Sequence, residues 1–167
     1  MYIAGNYWNH YIGDTDDSLT LLDYLAGKGQ QEISIKEIFS ETGLDKLNGD
    51  FRRSHTPLTA PAGGEAGEGY YRECYLAIDL VVDLAALLLE CKVSGSLDLS
   101  ELAGYDLPAS GPVVLTAAPE EQELISRALE DFSSAPLEYD LSELCPEEAL
   151  LEMAELCRRL RQELYGE

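Results

Sequence analysis

Asp79 and Asp83 stand four residues apart in the most apolar stretch of the chain, ECYLAIDLVVDLAALLLEC at residues 73–91. On a helix, that spacing stacks both carboxylates on one face, where a pair can share a proton or divide acid and base roles. No nearby histidine, cysteine or lysine supports such chemistry. The plainer expectation is a polar seam: Arg72, Asp79, Asp83 and Glu90 are spaced seven, four and seven, so they form one narrow line, solvated or paired with arginine. His10 and His55 are the only histidines, and His55 falls in a stretch too Gly-, Ala- and Pro-rich to hold a general base in place. Cys74, Cys91, Cys145 and Cys157 contain no CxxC and no metal spacing, and read as reduced, mostly buried thiols. Asp14, Asp16 and Ser18 alternate as in a calcium loop, but Leu19 holds the position that needs glycine and Leu25 the one that needs glutamate. Nucleophile elbow, P-loop, dinucleotide fingerprint and HExxH are all missing. The expectation is no catalytic residue, no metal and no cofactor.

What remains is chemistry of contact. Tyr2, Tyr7, Trp8 and Tyr11 crowd the first eleven residues, and Asp14, Asp16 and Asp17 follow at once. Tyrosine and tryptophan have a large apolar body and a polar tip, which suits either core packing or an interface anchor. The 167 residues carry 32 acidic and 11 basic side chains, net −21. That balance argues against direct nucleic-acid binding, which needs basic neutralisation of phosphates. It suits a basic partner recruited by fast, salt-sensitive association. The excess rises along the chain, from −4 over residues 1–53 to −7 over 54–118 and −10 over 119–167.

The elements that would position these residues are mostly helical. Residues 73–91 are apolar on nearly every side, which predicts a buried central helix with others packed around it. Two aspartates interrupt the run, so it is too short to span a bilayer. Acids and hydroxyls at 13–18 predict a helix N-terminus before LTLLDYL, with an end near Gly27. Ser34 and Glu37 predict a capping box for a helix ending near Gly43. Residues 54–69 (SHTPLTAPAGGEAGEG) read as a flexible exposed loop that leads to Tyr70 and Tyr71. DLSEL recurs 42 residues apart, a reused local turn and not a solenoid. Residues 112–116 predict a short strand. Pro119 and Pro146, each followed by two glutamates, open two further helices. In the last of them Leu150, Met153, Cys157, Leu160 and Leu164 form one apolar stripe, and Glu155 can pair with Arg159. The expectation is one mainly α domain over residues 1–167, α+β only in having a few short strands, built around a buried central helix.

The block NYWNHYIGDTDDSLTLLDYL with EISIKEIFSETGLDKLNGDF, followed by YYRECYLAIDLVVDLAALLLECKVSG, resembles small bacterial immunity proteins of polymorphic-toxin systems. The resemblance implies a non-enzymatic, cytoplasmic antidote that binds one cognate toxin domain, many such toxins being basic nucleases. A cytoplasmic location also agrees with an N-terminus that lacks a basic region and an apolar run. No binding residue transfers through such a resemblance. From composition alone, the expected partner surface is Tyr7, Trp8, Tyr11, Asp14, Asp16, Asp17, Tyr70 and Tyr71, with no nucleic acid or membrane as partner. Two other classes stay open: a small enzyme using Asp79, Asp83 or a cysteine on a small molecule, and a regulator whose carboxylates mimic DNA phosphates.

Overall fold

The apolar run is a helix, but it starts later than its pattern suggests. In the computed structural model, which describes residues 1–53, 58–61, 71–107 and 111–166, helix α4 spans Ala77–Ser94. Residues 71–74 ahead of it form strand β3 (Tyr71–Cys74), paired antiparallel with β2 (Leu58–Pro61). Period-two and helical readings of an apolar run look alike, and the pairing partner decides between them. Residues 58–61, expected in a flexible loop, are therefore strand. The remainder of 54–69 lies outside the described residues.

Around α4 stand α1 (Tyr2–Asn6), α2 (Asp16–Gly27), α6 (Pro119–Ser134) and α7 (Glu147–Tyr165). Ile78, Leu80, Val81, Val82, Leu84, Leu87 and Leu89 of α4 are all buried. Each such side chain contributes about 1.5–3 kcal/mol through the hydrophobic effect, so this helix is the main organiser of the core. Two smaller helices stand further out: α3 (Ile35–Thr42) packs on the short strands, and α5 (Leu99–Ala103) packs on α2. Strand β1 (Glu32–Ser34) pairs in parallel with β4 (Val114–Thr116), with Ile33 opposite Leu115. The fold is mainly α with a few short strands.

Local signals explain most of the helix ends. Thr15 Oγ1 accepts the Ser18 N–H at 3.1 Å and caps α2. Ser34 Oγ accepts the Glu37 N–H at 3.1 Å and caps α3, which stops at Gly43 in the left-handed region. The two DLSEL copies do become short helical turns: Asp98 caps α5, while residues 140–143 form a 3-10 turn. The expected pairing of Glu155 with Arg159 does not form. Glu155 pairs with Arg158, and Arg159 lies over the Tyr7 ring, 5.7 Å from its centre.

The polar seam of α4 is neither solvated nor paired with arginine. Asp79, Asp83 and Glu90 are buried, and two of them hold the N-terminal segment by its backbone. Glu90 accepts the Ile3 N–H at 2.8 Å and the Ser94 hydroxyl at 2.6 Å. Asp83 accepts the Gly13 N–H at 3.0 Å and the Ser18 hydroxyl at 2.6 Å. Buried carboxylates need such donors, and here the start of the chain supplies them.

Candidate functional site

The segment between α1 and α2 is built tightly. Trp8 and Ile12 bridge each other, and the Asn9 N–H donates to the Ile12 carbonyl at 2.6 Å. Asn9 and Tyr11 both sit at positive φ, 68° and 70°, which side chains other than glycine adopt at a cost of about 1–2 kcal/mol each. Gly13, at φ 77°, is required twice over: a Cβ there would lie 2.2 Å from Trp8 Cδ2. The surrounding core enforces this geometry, and the loop it makes carries Tyr11 outward.

The aromatic residues divide sharply. Tyr7 and Trp8 are 0 % and 1 % exposed, so they are core residues and not exposed anchors. Tyr7 donates its hydroxyl to Glu163 Oε1 at 2.6 Å, and Tyr2 donates to Oε2 of the same carboxylate at 2.6 Å. Both tyrosines thereby tie the N-terminus to α7. Asp17 is buried too and accepts N–H groups from Tyr75 and Leu76, each at 3.0 Å, fixing the entry to α4. The expectation that these three line a contact surface is corrected: their partners are internal. Tyr70 lies outside the described residues. Tyr71 is in β3, opposite Pro61.

Tyr11, Asp14 and Asp16 remain exposed. The Glu152 carboxylate of α7 lies close enough to Tyr11 to raise its phenol pKa, with Glu148 and Asp14 adding to the effect. A groove of about 470 Å³ runs between the two segments, lined by His10, Tyr11, Glu152, Glu155, Leu156 and Arg159 among others. It continues onto the outer side of α7, where Glu147, Glu148 and the half-exposed Leu151 flank Glu152 and Glu155. Leu144, 69 % exposed, precedes this helix. The result is an acidic face edged by Tyr11 and two leucines, with Arg159 as the positive residue on its wall. Sequence reasoning missed Glu147, Glu148, Leu151, Glu152 and Glu155. They are the polar side of the α7 stripe, and only tertiary packing sets them beside Tyr11.

The groups that could do covalent chemistry are poorly placed for it. Burial pushes the Cys74 thiol up to about 12, and the Cys91, Cys145 and Cys157 thiols are also raised, chiefly by burial. A nucleophilic cysteine needs the opposite shift. Asp79 is pushed up to about 7 by burial, with the Asp17 and Asp14 charges adding to it, and Asp83 is raised well above the carboxylate range by burial. Neither lines the Tyr11 groove, the outer face of α7 or the cavities at Leu97, Leu88 and Arg161. Among those residues no cluster of three metal-ligating side chains is present, and no helix is long and apolar enough to cross a membrane.

A helical body with inward-tied carboxylates and an outward acidic face has the features of a protein-binding module. The family model described as Immunity protein 68 matches residues 2–164, nearly the whole chain, and the protein belongs to that family. Comparison with curated proteins and with solved structures finds no match.

Proposed function

We propose that this protein is an antidote: it binds one cognate bacterial toxin domain and blocks its activity, without chemistry of its own. The toxin presents a basic surface, as nuclease-type toxins do, and is met in the cytoplasm of the cell that carries both. Membership of an immunity family supports the antidote role. The acidic groove carries the choice of face. Tyr11, Asp14 and Asp16 form one edge, and Glu148, Glu152 and Glu155 of α7 form the other. Tyr11 supplies apolar contact area on a rigid loop, and the carboxylates steer a positive partner and set its register. Buried aromatic anchors carry most interface energy, while rim charges mainly change the association rate. Replacing Tyr11 by alanine should therefore slow nothing but shorten the lifetime of the complex. Neutralising Glu148, Glu152 and Glu155 together should lower the association rate and its salt dependence. Surface plasmon resonance against an inactivated toxin domain separates the two effects. Unchanged kinetics in both variants would move the interface elsewhere.

A further inference from the structure

The last turn of α7 lines a cavity of about 400 Å³, shared with the C-terminal part of α4 and with β4. Its apolar lining, Leu88, Val114, Leu115, Ala117 and Leu164, is buried or half-buried. Three polar side chains on its wall have partners. Lys92 Nζ donates to the Glu163 and Leu164 carbonyls at 2.8 and 2.9 Å, and Gln122 Nε2 donates to the Ala117 carbonyl at 2.9 Å. Cys91 Sγ accepts the Leu115 N–H at 3.4 Å. Tyr165 is different. Its hydroxyl is buried and, alone among the buried side-chain nitrogens and oxygens of the described residues, has no hydrogen-bond partner. Burial pushes this phenol up to about 12, so near neutral pH it keeps its proton and is a donor. A buried donor without an acceptor costs stability and is rare in a native protein. Gln122 and Tyr165 also line the neighbouring cavity at Arg161, so Tyr165 stands where the two meet. The acidic face is elsewhere: from Glu155 to Tyr165 helix α7 rises about 15 Å, and the Tyr11 groove shares no lining residue with this cavity.

We propose that this cavity binds a small neutral molecule with an apolar body and one carbonyl oxygen, which accepts the Tyr165 hydroxyl. The volume falls within the range of about 300–1,000 Å³ usual for small-molecule sites, and an apolar wall with one placed polar group is their usual make-up. The body would cover Leu88, Val114, Leu115 and Leu164, and the carbonyl would lie at the junction where Tyr165 stands. A neutral acceptor suits the place better than a carboxylate. The net charge of −21 repels anions, and Lys92, the cation on this wall, is already turned to the carbonyls at the end of α7. A bound molecule supplies the acceptor that Tyr165 lacks and joins the last turn of α7 to α4 and β4. The site does not depend on the antidote reading, because it shares no residue with the face proposed for the toxin.

Three probes of similar shape test this: acetophenone has the carbonyl, ethylbenzene lacks it, and benzoate replaces it with a charge. Each is titrated into the full chain while the Tyr165 ring carbon that bears the hydroxyl and the Leu115 amide are followed by NMR. Acetophenone should give saturable shifts at both positions, with a Kd of about a millimolar, as befits a fragment of its size. Ethylbenzene and benzoate should bind several-fold more weakly. Tyr165→Phe should weaken acetophenone binding by about three- to tenfold and leave ethylbenzene binding unchanged, as expected for loss of one neutral hydrogen bond. The thermal midpoint of this variant should match or exceed the parent's, because the hydroxyl has no internal partner to lose. Several results overturn the inference. Absence of a saturable shift up to about 20 mM acetophenone means that the cavity holds water alone. Equal acetophenone affinity in parent and Y165F removes the role of the hydroxyl, and tighter binding of benzoate than of acetophenone removes the neutral ligand. If Y165F does not fold, the comparison of acetophenone with ethylbenzene on the parent chain decides.

Discussion

At the scale of single residues, the molecule's character lies in where it hides its carboxylates and how it uses one glycine. Asp79 keeps its proton more readily in the fold than in the unfolded chain, with a midpoint of about 7 against the ordinary 3.8. Its stabilising contribution is therefore complete below the unfolded value and is lost as pH rises through about 7. Chemical denaturation should show stability falling by a few kcal/mol on the way from about pH 4.5 to about pH 7.5. Asp79→Asn should flatten that slope, and an unchanged slope would mean that another group sets it. Gly13 offers a second test. Alanine there meets both a positive φ and the Trp8 ring. It should cost about 2–4 kcal/mol, seen as a lower urea midpoint at unchanged m-value. A loss under about 0.5 kcal/mol would show that the loop relaxes freely. The burial of Tyr7 and Trp8 was not legible in sequence. Helix α1 has only five residues, too few to display a period, so nothing local marks which of Tyr2, Tyr7, Trp8 and Tyr11 face inward.

At the scale of elements, the N-terminal segment is an appendage held by side chains of helices far along the chain. Glu90 holds the start of α1, Asp83 the start of α2, and Glu163 both Tyr2 and Tyr7. Glu90→Ala should leave the Tyr2 and Ile3 amides without their acceptor. Hydrogen exchange should then speed up across residues 2–13, while the packed α6–α7 pair keeps its protection. Uniform loss of protection would instead mark Glu90 as a support of the whole core. The helices themselves were largely readable. Capping residues, prolines followed by glutamates, and terminal glycines marked α2, α3, α6 and α7 with small errors at the ends. The β2–β3 hairpin was not readable. Its strands are four residues each, lie in or beside a Gly- and Ala-rich stretch, and owe their form to each other more than to their own pattern. The polar seam was legible as a line of carboxylates, but its meaning was not, because its partners are backbone amides more than sixty residues away.

At the scale of the whole molecule, the net charge is −21, most acidic side chains among the described residues lie at the surface, and their effect reaches beyond any one contact. Such a field raises the encounter rate with a basic partner by about 10–1000-fold at low ionic strength, and salt screens it. The acidity of the C-terminal half was visible in composition. That it joins Tyr11 and Asp14 in one face follows from α7 packing beside the N-terminal loop, which no local pattern encodes. The account stands or falls on that face. The most direct measurement is the affinity of an inactivated cognate toxin domain for the parent chain and for a variant carrying Tyr11→Ala, Glu152→Lys and Glu155→Lys, with circular dichroism confirming that the variant folds. The prediction is a stoichiometric complex with the parent and at least about a hundredfold weaker binding by the variant. Binding of equal strength by the folded variant, or none by the parent, would contradict it.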